Sequence, residues 1–514
     1  MTLQEAVRIL TMALKNGFAQ TVSDGWGTKI FFALPILLNH VSDDPDHVAA
    51  YGLILTTLNL LYVPFVAPLF GETPNIAQWF GELHHDNAAE DQKEILRGKI
   101  RSVFQLGCAY IAFIAAPAAV IPSIYSGSLL SLIGQNEKSA QIAGYFLRIF
   151  SNTIPAEFLA FFSMQFLLAN RNTKTLWLGG VFVALGLLST IALSFGLRNL
   201  PKYDMDGILI SYSASAWATT FLYAGTLFIH RDFKELGLAK HLFNSLKGKT
   251  DAFLKFLKSS IVPMITIVSE FGLGFFVIAM SIYFGVDAQA ALTLAIQCLS
   301  LNNLLNISFA IGGLILMGGE IGADPINITE DRKRQLLSFG KIVVAVGTLV
   351  ESILPILLIA RPNSFFNLIS PNCTQVVREK AETLIIPIAL YSVLAGTVSQ
   401  LLFQTRLFNR GLFSAVVLAG CLTAGALIGC LLAFAFKMEV QGLAIGLTAS
   451  MLLSLIALIA IWTNGINNIN QPVHNAGYSV KFKEFVRHGL GFLRGNNANA
   501  GTGESASLLN SAAC

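Results

Sequence analysis

About a dozen apolar blocks, each roughly 20 residues long, run through this 514-residue chain and constrain its fold more than any motif does. They fall near residues 15–40, 47–70, 100–125, 143–169, 175–197, 206–229, 259–284, 288–317, 339–360, 382–405, 412–436 and 440–463. A block of that length crosses a ~30 Å hydrocarbon core as a helix. Backbone polar groups in lipid have to be satisfied within the segment, and the weaker alternating pattern of a membrane β-barrel is absent. Composition agrees: 12% of residues are charged and 54% hydrophobic, against about 25% charged in a soluble domain. The expected fold class is an all-α polytopic membrane protein with about twelve transmembrane helices.

Lys and Arg set the expected topology. Most of the 34 basic residues lie in the connections after even-numbered blocks and in the tail, as in "ILRGKIRS" (95–102), "HRDFKELGLAKHLFNSLKGKTDAFLKFLK" (230–258) and "EDRKRQ" (330–335). The first odd connection, "SDDPDH" (42–47), is acidic. The positive-inside rule then puts both termini in the cytoplasm of a multi-pass protein, in a plasma or inner membrane. The net charge of +4 is this bias and calls for no nucleic-acid partner. The opening "MTLQEAVRIL" lacks the pattern of a cleavable signal. Six scattered cysteines read as small packing residues rather than disulfides or a metal site.

The chain repeats itself once. "DGILISYSAS" (206–215) aligns with "QGLAIGLTAS" (441–450), pairing Gly207 with Gly442 and Ser215 with Ser450. The same offset of 235 positions relates "QFLLANR" (165–171) to "QLLFQTR" (400–406), matching Gln165 to Gln400 and Arg171 to Arg406. At an offset of 241, Gly71 and Gly81 match Gly312 and Gly322. Six spans per half enter the membrane in the same orientation, which predicts two pseudo-symmetric bundles around a central cleft. The expected division is an N-terminal lobe over 1–229, a basic amphipathic connector over 230–258, a C-terminal lobe over 259–463 and a cytoplasmic tail over 464–514.

"VAAYGLILTTLNLLYVPFVAPLFGETPNIAQWFGE" (48–82) resembles the Ala-Ala-x-Gly-Leu run and Ala-Gln-x-x-Gly turn of the multidrug and toxic compound extrusion (MATE) transporters of the MOP flippase superfamily. "AALTLAIQCLSLNNLLNISFAIGGLILMGGEIGA" (290–323) looks like its second-half counterpart, and Pro263 followed by Glu270 resembles the family's seventh span. The resemblance implies cation-coupled export of amphipathic, often cationic organic compounds, with a proton as coupling ion and sodium second. It also shows departures. The aspartate many bacterial members carry late in the first span is missing from "FFALPILL" (31–38), and the tenth-span aspartate of sodium-using members gives way to neutral residues near Ala395.

Ionisable groups inside the apolar blocks are the candidate ion-coupling residues. Glu270 lies 12 residues beyond Lys258, about 18 Å deep at ~1.5 Å per residue. A carboxylate at that depth costs at least ~2.5 kcal/mol, so it is suited to exchange a proton for a cation; the alternative is a neutral acid hydrogen-bonded between helices. Asp24, in "SDGWGTK" (23–29), is either a first-lobe substitute for the missing aspartate or a polar bend. Glu351 lies about 15 Å beyond Lys341 and ranks as an accessory carboxylate. Gln297, Asn302 and Asn306 on the eighth span are candidate cavity residues; the latter two share a face at i, i+4 and alternatively glue helices together. Gln297 falls where the resembled motif has Gln. Glu157 after Pro155, and Tyr391 among the many aromatics, complete the candidate cavity residues.

The tail changes class. "SVKFKEFVRHGLGFLRG" (479–495) reads as a membrane-surface helix with Phe482, Phe485, Val486, Leu490 and Leu493 on one face. The last residues are disordered by composition, and Glu504 with Leu508 and Leu509 resembles an acidic dileucine signal for a eukaryotic sorting adaptor. No phosphate-binding loop and no nucleophile–base set occur, so neither ATP coupling nor an enzyme is expected, and no cofactor. The expected partners are the lipid bilayer and a small organic substrate. Two other functions compete with export: a lipid-linked oligosaccharide flippase, for which Lys29 and Arg148 are the few interior basic candidates, and a non-transporting scaffold or effector that kept the fold.

Overall fold

The computed structural model describes residues 3–24, 33–34, 36–37, 45–84, 90–132, 137–196, 201–238, 250–323, 329–371 and 373–469, and the regular elements among them are all helical. The first half runs α1 (Leu3–Ser23), α2 (Pro45–Val66), a 3-10 turn (Ala67–Phe70), α3 (Thr73–Leu83), α4 (Glu90–Tyr110), α5 (Ala116–Ile124), α6 (Ser126–Leu132), α7 (Glu137–Phe150), α8 (Ile154–Ala169), α9 (Thr173–Phe195) and α10 (Asp204–Ile229). A short α11 (Arg231–Lys234) follows. The second half runs α12 (Thr250–Ser281), α13 (Val286–Gln297), α14 (Ser300–Gly322), α15 (Glu330–Ala360), α16 (Pro362–Ile369), α17 (Gln375–Thr405), a 3-10 turn (Arg406–Phe408), α18 (Gly411–Cys430) and α19 (Glu439–Asn467).

These helices make up twelve spans or parts of spans, and eight stretches among the described residues are long and apolar enough to cross a membrane by themselves. The others differ for local reasons. The second half of the first expected span lies largely outside the described residues, while its helix already starts at Leu3. The fourth is split into α7 and α8 by a turn at Ser151–Thr153, where Pro155 occupies the first turn of α8 and a missing N–H there costs nothing. The eighth, itself among the eight, is shortened by a break between Gln297 and Ser300. The second and sixth are helices of 22 and 26 residues. Residues 250–258 of the expected connector form the first turns of α12. The tail, including Phe482, Phe485, Val486, Leu490, Leu493, Glu504, Leu508 and Leu509, lies outside the described residues.

The helices are apolar on faces that meet no protein. Leu185, Leu188, Leu349, Ile353, Ile356, Leu427 and Ile456 are all more than half exposed, as lipid-facing side chains are. On α15 the buried stripe runs Val343, Gly347, Glu351, Pro355 and Leu358. That helical spacing turns Glu351 inward while Leu349 and Ile353 face out.

The repeat read from the sequence recurs in three dimensions. Gly207, opening α10, presses on the Leu193–Ser194 backbone at the end of α9; Gly442, opening α19, presses on the Leu432–Ala433 backbone after α18. The seam between the halves carries the same symmetry. Gly81 of α3 abuts the backbone of Gly319 on α14, and Gly322 of α14 abuts the backbone of Gln78 on α3. The offset of 241 that pairs Gly81 with Gly322 also pairs Gln78 with Gly319, so each contact is the image of the other, the signature of a two-fold relation. Only glycine leaves room for backbones to approach so closely.

Around this seam the second half grips the first through polar bonds. Arg406 donates through Nη2 to the carbonyls of Phe70 and, at 3.2 Å, Gly71. Ser260 Oγ donates to the carbonyl of Pro68 at 3.1 Å. Buried carbonyls at the end of a 3-10 turn need donors, and the opposite lobe supplies them.

Candidate functional site

Each lobe buries carboxylates in its interior. In the first lobe α1 ends at Ser23, and Asp24 follows with its N–H bonded to the carbonyl of Gln20. Asp24 is 9% exposed and Glu157, in the first turn of α8, is 4% exposed. Three tyrosines from two other helices lie within their electrostatic reach. Tyr62 on α2 lies within electrostatic reach of Glu157 and Asp24, Tyr212 on α10 within reach of Glu157, and Tyr223 within reach of both carboxylates. Tyr223 donates its hydroxyl to the carbonyl of Ser23 at 3.2 Å, tying α10 to the end of α1. Tyr62 stacks on Phe158, with ring centroids 4.9 Å apart. The structure therefore brings Asp24 and Glu157 into one phenol-lined cluster, an association their separation in sequence concealed.

In the second lobe the carboxylates are Glu270 and Glu351. Glu270 stands partly buried on α12, with Tyr391 of α17 within electrostatic reach. Among the described residues it has no ion-pair partner. Glu351 on α15 is fully buried. Its Oε1 accepts a 3.0 Å bond from Gln400 Nε2 on α17. On α14, Asn302 Nδ2 donates to Ser392 Oγ at 2.7 Å and Asn306 Nδ2 to the Ser392 carbonyl at 3.2 Å. Both amides thus join the eighth span to the tenth, and the Asn306 amide oxygen, like Glu351 Oε2, lies against Gly396. One turn beyond Gln400, Gln404 accepts from the Trp462 indole at 2.9 Å.

The eighth-span candidates separate. Asn302 and Asn306 join the polar cluster, whereas Gln297 closes α13 on the far side of the break, partly exposed. Arg148, one of the two candidate interior bases, is exposed on α7; Lys29 lies outside the described residues, as does most of the "SDGWGTK" bend. Sequence reasoning missed Tyr62, Tyr212 and Tyr223, and it read Gln400 only as a repeat marker. A buried glutamine at the same repeat position in each half was the available signal. Gln165 is hydrogen-bonded to Thr73, while Gln400 holds Glu351.

The fold and its buried carboxylates define a two-lobed α-helical membrane protein with an ionisable cluster in each lobe. The MatE family model matches residues 28–194. No curated protein matches the chain. Over nearly its whole length the chain is similar to solved structures of MATE transporters. The eukaryotic MATE transporter AtDTX14 matches with TM-score 0.74 at 17% identity, covering 91% of this chain and 99% of that one. A multidrug resistance MATE transporter of the MOP superfamily in an outward-facing conformation matches with TM-score 0.69 at 13% identity, covering 92% and 100%. A point mutant of the Vibrio cholerae MATE transporter VcmN matches with TM-score 0.67 at 13% identity, covering 91% and 99%. The MatE family model thus covers part of the first half, and the chain as a whole has a fold similar to that of MATE transporter structures.

Proposed function

We propose that the protein is a secondary active antiporter that exports amphipathic, cationic organic compounds in exchange for protons. The observation that carries this reading is Glu270: a carboxyl well inside an apolar helix, with Tyr391 in electrostatic reach and without an ion-pair partner among the described residues. A charge left unpaired at that depth is unfavourable, and a proton or an organic cation relieves it equally well. The two ligands then compete for one carboxylate, which is the minimal requirement for antiport. Burial of Asp24 and Glu157 among tyrosines supports a second protonatable site in the first lobe.

The seam supports alternating access. The lobes meet where Gly81, Gly322 and Arg406 cluster, the end that the Lys and Arg distribution assigns to the cytoplasm. In this arrangement the cleft is closed toward the cytoplasm and protons reach Glu270 from outside. Protonation releases the organic cation there; reversal of the seam returns the carboxylate to the cytoplasm, where it loses its proton and binds again.

The test is transport of a fluorescent cationic dye by proteoliposomes under an imposed proton gradient. Glu270→Gln, which keeps the size and removes the titratable oxygen, is expected to abolish gradient-driven transport. Transport unchanged in that variant would contradict the role given to Glu270.

A further inference from the structure

An open cavity of about 430 Å3 lies where the start of α17 meets the turn before α19. That size falls within the ~300–1,000 Å3 of small-molecule sites. Four charged side chains line it: Glu379 and Lys380 on α17, Lys437 in the turn and Glu439 opening α19. The side chains of Lys380, Lys437 and Glu439 have no hydrogen-bond or ion-pair partner among the described residues. Glu379 accepts a 3.0 Å bond from Gln375, one turn earlier on its own helix. Two cations and two anions thus share one cavity without pairing.

The equivalent corner of the first lobe is paired throughout. The offset of 235 maps Lys202, Asp204 and Asp206 onto Lys437, Glu439 and Gln441, and Tyr145 of α7 onto Lys380. The backbone follows the same path in both. Asp204 and Glu439 have φ of 45° and 49°, and Tyr203 and Met438 each donate an N–H to a carbonyl of the preceding span, at 2.9 and 3.1 Å. In the first lobe Lys202 pairs with Asp204 at 2.7 Å, and the Tyr145 hydroxyl donates to Asp206 at 2.8 Å, fastening α7 to α10. In the second lobe a lysine replaces the phenol and a glutamine its acceptor, and the charges in the turn stand apart.

Exposed apolar side chains lead away from the cavity along both helices. On α17, Ile386 and Leu390 lie three and seven residues beyond Thr383, which also lines the cavity; both are more than half exposed. On α19, Ile445 lies four residues beyond Gln441, another lining residue. These spacings keep each set on one helical face. A charged cavity continued by lipid-facing strips suits an amphiphile, with its headgroup in the cavity and its acyl chains on the strips. Lysine ammoniums donate to a phosphate, and the carboxylates accept from a primary ammonium. Only a headgroup that carries both pairs all four charges. A purely anionic headgroup would meet two like-charged carboxylates, and a quaternary ammonium has no N–H to donate.

We propose that this corner of the second lobe binds one zwitterionic phospholipid with a primary ammonium, its phosphate held by Lys380 and Lys437 and its ammonium by Glu379 and Glu439. The site lies outside the buried carboxylates of either lobe and holds whether or not an organic cation is carried. Its bound lipid takes over the fastening that Tyr145 and Asp206 provide in the first lobe.

Intact-mass measurement of the full chain counts the lipid that stays bound on release from detergent micelles. The micelles contain equimolar phosphatidylethanolamine, phosphatidylcholine and phosphatidylglycerol with matched acyl chains. One phosphatidylethanolamine is expected to be retained in preference to the other two. Lys380→Gln combined with Lys437→Gln is expected to retain it roughly fivefold less, the size that loss of two exposed ion pairs gives. Lys437→Gln alone, at an exposed position, carries the test if the double variant does not fold, with a loss of roughly twofold. Glu379→Gln combined with Glu439→Gln is expected to abolish the preference over phosphatidylcholine and to admit phosphatidylglycerol. Tyr145→Phe, at the matching corner of the first lobe, is expected to leave retention unchanged. Equal retention of the three lipids, a preference for phosphatidylglycerol in the wild-type chain, full retention in the lysine variants, or an equal loss in Tyr145→Phe would each overturn the site.

Discussion

The two lobes share a scaffold and differ in how they house charge. In the first, Glu157 sits on the fourth span with tyrosines from the second and sixth in electrostatic reach. The offset that pairs Gln165 with Gln400 also pairs Glu157 with Ser392, so the second lobe has no carboxylate at the equivalent place. Its buried carboxylate comes instead from the ninth span, as Glu351, and fills the space beside Gly396. The helix packing is therefore preserved while the charge has moved to a neighbouring helix. The surroundings changed with it: phenol hydroxyls, which donate as well as accept, stand around Glu157, and amide oxygens stand near Glu351.

Substitutions at equivalent places sharpen this contrast. The largest effect is expected where the lobes are most alike. Gly81→Leu and Gly322→Leu each drive a side chain into opposing backbone at the seam, with a cost of about 1–3 kcal/mol to the closed arrangement. Because the contacts are images of one another, the two variants should open the seam to a similar degree. Distance measurements between spin labels at Ile95 and Glu330, both exposed, read that opening; an effect in only one variant would break the symmetry.

The next effect separates the lobes. Gln400→Leu removes the one side-chain donor that the described residues give the buried Glu351 carboxylate, with an expected loss of about 1–3 kcal/mol of stability. Gln165→Leu removes an acceptor from a neutral threonine hydroxyl rather than a donor from a buried carboxylate, and the loss should be smaller. Equal losses in thermal unfolding would contradict the asymmetry. Smallest is Tyr223→Phe, which deletes one neutral hydrogen bond to Ser23, about 0.5–1.5 kcal/mol. It is expected to loosen the end of α1, seen as faster amide exchange there with little change elsewhere.

Much of this was legible in the sequence. Glu270 and Glu351 are conspicuous because a carboxylate interrupts an apolar run, and depth follows from helical rise. The i, i+4 spacing of Asn302 and Asn306 put them on one face, and the structure has them meeting one partner, Ser392. Gly207 and Gly442 announced the repeat. What stayed hidden depends on how helices distant in sequence slide against each other. Nothing in the apolar text says that Tyr62, Tyr212 and Tyr223 come within electrostatic reach of Glu157, or that Gln400 reaches Glu351. The break in the eighth span was equally silent, since neither proline nor glycine marks Cys298 and Leu299.

The measurement that bears most directly on the central claim is the initial rate of cationic dye transport by proteoliposomes, with proton and sodium gradients imposed independently. Transport driven by the proton gradient is expected in the wild-type chain and its loss is expected in Glu270→Gln. Sodium-driven transport without a proton gradient, or no transport under either, would contradict it.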